Sequence, residues 1–114
     1  MAILTGSTKG QGISVAATSS GGTAIDERGA EPAEGFKSNE VMYSLFAVNN
    51  HDSDVLLTLE FGGTAANNLI KKTIKAGDGM TLLVNSHILQ DAVVITAFAD
   101  TANKIMIYGE VKEL

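Results

Sequence analysis

The chain has no cysteine and no tryptophan, one proline (Pro32), two tyrosines and four phenylalanines in 114 residues. Without cysteine it has neither disulfides nor thiolate metal sites to reinforce a core, so contacts between subunits are the remaining source of extra stability. With few aromatic rings it has little to stack against sugars or bases. No run approaches the roughly 20 apolar residues of a membrane span, and the amino-terminal MAILTGSTKGQG carries no basic segment followed by an apolar one. The sequence therefore predicts a soluble protein made in the cytosol, with no membrane partner. Basic residues are also scarce, 8 Lys and Arg against 13 Asp and Glu. A net charge of −5 argues against a nucleic-acid partner, which needs clustered cations against phosphate.

A chain of this length predicts one domain with one core. Its charge is uneven. Residues 1–65 carry the whole net charge of −5, while residues 66–114 balance five acids with five lysines. Much of the acidity lies in SGGTAIDERGAEPAEGFKSNE, residues 20–40, together with four glycines and the only proline. A long segment of this composition predicts an extended arm or acidic loop, and a helix over AIDERGAEPAE is cut by Gly29 and Pro32. ISVAAT at 13–18 alternates weakly, as an edge strand or an arm joining another subunit's sheet would. The composition break at Glu40 thus divides the chain into an amino-terminal arm, 1–40, and a β-sandwich core, 41–114. On this reading the core holds the fold and the arm carries the partner contact.

Beyond residue 40 come short β-branched and apolar runs separated by Gly, Asn, Asp and Ser. VMYSLFAV (41–48) and AVVITAFA (92–99) are apolar at both parities, as strands covered on both faces are. VLLTLEF (55–61) alternates, with Thr58 and Glu60 on the face opposite Leu57, Leu59 and Phe61. Ile70, Ile74 and Ala76 oppose Lys71, Thr73 and Lys75, and AGDG then predicts a tight turn into the return strand MTLLV. DTAN predicts a hairpin between AVVITAFA and KIMIYGEV. AANNLIKK has room for one helical turn, but its two asparagines predict mainly loop. Six or seven strands, with turn signals every 8–12 residues, predict an all-β antiparallel sandwich or jelly roll.

Reactive side chains are few. His51 lies in NNHDSD with Asp52 and Asp54, a set that could ligate a metal but is also what a hydrated turn uses. His87, in NSHILQD, has only Asp91 near it in sequence, and both histidines are expected to be dispensable. GSTKGQG departs from a phosphate-binding loop because Lys9 precedes Gly10 and no apolar strand precedes Gly6, so it is expected to be a flexible arm. GDG at 77–79 lacks the alternating acids of a calcium loop. No catalytic residue, metal site or cofactor is expected.

The order of elements from Tyr43 to Leu114 resembles small β-sandwich virion proteins of tailed bacteriophages, of the head-decoration or fibre-associated type. The residues that carry the resemblance are a strand ending in VNN before VLLTLEF, then KAGDGMTLLV, then HILQDAVVITAFAD and NKIMIYGEVKEL. The resemblance implies a non-enzymatic structural protein located in the virion. It would decorate or cement a capsid by multivalent binding, as a homo-oligomer, with a trimer expected, against the major capsid protein or another virion protein. The alternatives are fibre-associated adhesion and a carbohydrate-binding sandwich, the latter short of aromatic platforms.

Overall fold

Alternating side chains along a strand point to opposite faces, so a chain of alternating runs is stable only when the apolar faces meet. In a computed structural model, which describes residues 2–27, 40–90 and 94–114, they meet between two antiparallel sheets. The first sheet has β1 (Ala2–Ile3), β9 (Ile105–Glu113), β4 (Glu40–Asn49) and β7 (Thr81–Gln90) in that order, and β2 (Ile13–Ser14) also pairs with β9. The second has β3 (Thr23–Asp26), β8 (Ile95–Ala99), β5 (Val55–Phe61) and β6 (Leu69–Ile74). The expected all-β antiparallel sandwich is what the chain forms. The first sheet is called sheet A and the second sheet B.

The core lies between the sheets. Val41, Tyr43, Leu45 and Ala47 of β4 face it, with Ile105, Ile107 and Val111 of β9 beside them. Sheet B meets these with Val55, Leu57 and Leu59 of β5, Ile74 of β6, and Ile95, Ala97 and Ala99 of β8. The two runs that are apolar at both parities are central strands: β4 lies between β9 and β7, and β8 between β3 and β5. AANNLIKK, expected to be mainly loop, instead forms a 3-10 turn at Ala66–Asn68 and then enters β6.

Two expected hairpins are absent. The turn after β6 has Gly77 and Gly79 at φ 69° and 68°, a backbone glycine adopts without strain, but it leads into the other sheet. The DTAN turn likewise carries the chain from β8 in sheet B to β9 in sheet A. A tight turn and a sheet-crossing turn use the same residue types, so composition alone does not distinguish them.

The amino-terminal residues also lie elsewhere than the division at residue 40 implies. Leu4, Ile13, Val15 and Ile25 are in the core of this same domain. The segment before β3 laces the two sheets together along one lateral side. Gly6 N–H donates to Ile25 O, Val15 N–H to Ile105 O, Asn103 N–H to Val15 O, and Ala99 N–H to Ala17 O. β2 is an edge strand of its own sheet. GSTKGQG forms a pair of backbone turns, Ser7 N–H to Leu4 O and Gln11 N–H to Thr8 O, where a flexible arm was expected. Leu4, Ile13, Val15 and Ile25 fill the seam between the sheets although they are few, while Ile3 stays exposed. Most of the acidic stretch, residues 28–39, lies outside the described residues.

Each sheet edge is blunted in its own way. β1 and β2 are two residues long, and β3 is short with a register shift between Ala24 and Asp26. On β6, Lys72 pairs with Leu57 and so shares the core-side register of Ile70 and Ile74. The ten-residue β7 is bulged twice against β4, because Tyr43 pairs with His87, Leu45 with Val84 and Phe46 with Leu82.

Candidate functional site

The residues with reactive groups are occupied in turns. Asn49 is buried, its Nδ2 donating to Ser53 O and Ile74 O while its Oδ1 accepts from His51 N–H. This fixes the turn that holds His51, Asp52 and Asp54. His51 Nδ1 is 3.4 Å from the solvent-exposed Asp52 Oδ1, and Asp54 Oδ1 accepts from Ala76 N–H. Among the described residues no group of three or more His, Asp or Glu side chains could hold a metal ion, and no helix is long and apolar enough to cross a membrane. Asp91, considered as a partner for His87, lies outside the described residues. His87 packs its ring against Phe61 at 5.6 Å, and Phe61 in turn meets Tyr43 edge-on at 5.9 Å.

Two buried carboxylates escape a reading by alternation. Glu60, placed by parity on the outer face of sheet B, is 1% exposed because residues 20–22 fold over it. Its carboxylate accepts from Ser20 Oγ (2.7 Å), Thr96 Oγ1 (2.6 Å), Gly22 N–H (3.2 Å) and, more weakly, Gly21 N–H (3.4 Å). Burial pushes the Glu60 carboxyl up, but these donors, Thr96 and Ser20 foremost, outweigh it and hold the pKa below the ordinary glutamate value. The loop can lie this close because a Cβ at Gly22 would be 2.1 Å from Ala97 O. Asp26, at the end of β3, accepts from Thr5 N–H and from the Tyr43 hydroxyl across the core. Both arrangements fasten the fold, and both carboxylates are buried.

Among the described residues two surfaces stand out for recognition. On the outer face of sheet A, Phe46 lies between Leu82 of β7 and Tyr108 of β9, with Val48 and Met106 paired in the next row. Leu82 is 48% exposed and Met80, just before β7, is 57% exposed, while Phe46, Val48, Met106 and Tyr108 are half-buried. Towards the other end of the same face stand Glu110 and Lys112 beside Met42 and Ser44.

The second surface is a groove of about 400 Å³ on the lateral side away from the laced segment, where β6 and β7 border the sandwich. Phe61, Ile70, Leu83 and Leu89 supply its apolar walls, and Asn67, Asn68, Asn85 and His87 its polar groups. The bulges in β7 place consecutive Leu83, Val84 and Asn85 along it. Sequence reasoning missed this groove because its polar residues come from two segments almost twenty positions apart, with no spacing that marks them.

No family model, curated protein or solved structure matches the chain.

Proposed function

We propose that this chain is a non-enzymatic structural protein that works by face-to-face assembly, with copies of itself and with a larger particle, in the role of a capsid-decoration component of a virion. The observation that carries the reading is the row Leu82, Phe46 and Tyr108, continued by Val48 and Met106, across the outer face of sheet A. Contiguous apolar surface of this kind on a folded domain marks an interaction site, and a sheet face packs on another sheet without chemistry. The same face carries Glu110 and Lys112, so a neighbouring copy can meet it without like charges opposed. The order of elements from Tyr43 to Leu114 adds the virion to this reading, and repeated weak contacts around a symmetry axis supply the avidity.

Sedimentation of the full chain at ~20 µM tests the assembly, since proteins that self-associate through such interfaces are held together in the micromolar range or below. The expected species is an oligomer, a trimer for a decoration protein. The double variant Phe46→Glu, Leu82→Glu should sediment as a monomer with unchanged circular dichroism. A monomeric parent chain would count against the proposal. The genes beside this one test the particle: capsid or tail genes support it, and a metabolic operon speaks against it.

A further inference from the structure

The lateral side bordered by β6 and β7 is concave and chemically mixed, unlike the flat apolar face of sheet A. Its polar groups come from two directions. Asn67 and Asn68 stand on the 3-10 turn before β6, and Asn85 and His87 on β7. The Asn67, Asn68 and His87 side chains make no hydrogen bond within the described structure, and Asn85 Oδ1 meets only its neighbour Ser86 Oγ at 3.4 Å. Four hydrogen-bonding side chains thus line one concavity with most of their capacity unspent, which is the usual composition of a small-molecule site: apolar walls with a few placed polar groups.

We propose that this groove binds a neutral saccharide. Among the described residues the lining contains no Asp, Glu, Lys or Arg, so apart from His87 it offers no charged side chain with which to favour an ionic ligand. Each side-chain amide offers donors and an acceptor together, which is what a sugar hydroxyl, itself donor and acceptor, requires. Leu83, Leu89 and Ile70 provide apolar surface for the C–H faces of a sugar ring, and the volume suits a short oligosaccharide better than a folded partner. The groove is also poorly made for the obvious competitor, an added peptide strand. Lys72 stands on the core-side register of β6, and β7 is bulged at Leu83 and again at Asn85–Ser86, where Ser86 has φ 55° and its N–H is already taken by Ser44 Oγ. A strand laid along β7 would meet an interrupted ladder.

Titration of the 15N-labelled full chain separates the possibilities. Neutral trisaccharides of glucose, galactose and N-acetylglucosamine are added, each to ~20 mM, far enough to reveal an exposed site with a Kd of ~1 mM. A sulfated disaccharide and an eight-residue Val/Thr peptide serve as comparisons. At least one neutral trisaccharide should shift the side-chain amide signals of Asn67, Asn68 and Asn85 and saturate. The double variant Asn67→Ala, Asn85→Ala should weaken binding tenfold or more with an unchanged melting temperature. Silence from all three trisaccharides would overturn the proposal, as would stronger shifts from the sulfated sugar or the peptide, or full affinity in the double variant.

Discussion

Glu60 is a single side chain that holds a loop, a neighbouring strand and its own strand in one arrangement. Its carboxylate is the common acceptor for Ser20, Gly22 and Thr96, and hydrogen bonds to a charged acceptor are stronger than those between neutral groups. The direction of its pKa fixes a pH dependence. Because the folded value lies below the unfolded one, the carboxylate's contribution is fully present above the unfolded value and is lost as pH falls through the folded value. Glu60→Gln, which cannot ionise, should be less stable than the parent chain by about 1–3 kcal/mol at neutral pH. Urea unfolding should show that gap narrowing as the buffer is taken below the glutamate range. A gap of the same size at every pH would mean that the charge contributes nothing.

At the scale of elements, the strands themselves were legible and their partners were not. β5 stood out because VLLTLEF has a period of two that a strand satisfies, and β4 and β8 because their apolar runs are bounded by turn residues. Which strands pair depends on where each connection leads, and AGDG and DTAN read alike whether they close a hairpin or cross the sandwich. The burial of Glu60 was hidden for a related reason, since the loop that covers it lies forty residues earlier in the chain. The lacing segment was the least legible element, because Leu4, Ile13, Val15 and Ile25 are isolated among Gly, Ser and Thr. Their consequence is nevertheless large. Each buried side chain contributes about 1.5–3 kcal/mol, so the four together amount to about 6–12 kcal/mol. That is the size of a whole domain's stability. A chain lacking residues 1–27 should therefore give no cooperative thermal transition by circular dichroism; a sharp melt in that truncation would show that residues 28–114 hold a fold alone.

For the whole molecule, the laced side, the grooved side and the apolar face of sheet A divide the surface into regions with different tasks. If the apolar face is covered in an assembly, folding and association are linked, and the midpoint of unfolding depends on protein concentration. Over a hundredfold dilution the melting temperature should fall by about 5 °C or more, the shift expected for a domain of this size losing its association free energy. Calorimetry at two concentrations reads this directly. A midpoint unmoved by dilution would leave the fold as described and remove the assembly that is proposed to cover it. The groove should not respond to dilution, since β6 and β7 border it within one chain.

The blunted edges of both sheets govern which polymers the native protein can form. Fibril growth needs a flat, regular row of free amide and carbonyl groups on which the next strand can template, and the described edges present two-residue strands, register shifts and a lysine at a core-side register position instead. Native copies at high concentration are therefore poor seeds for cross-β growth along these edges. Templating on β7 has to begin with molecules that have already lost its two bulges, which places the barrier to fibril growth along that edge at local unfolding.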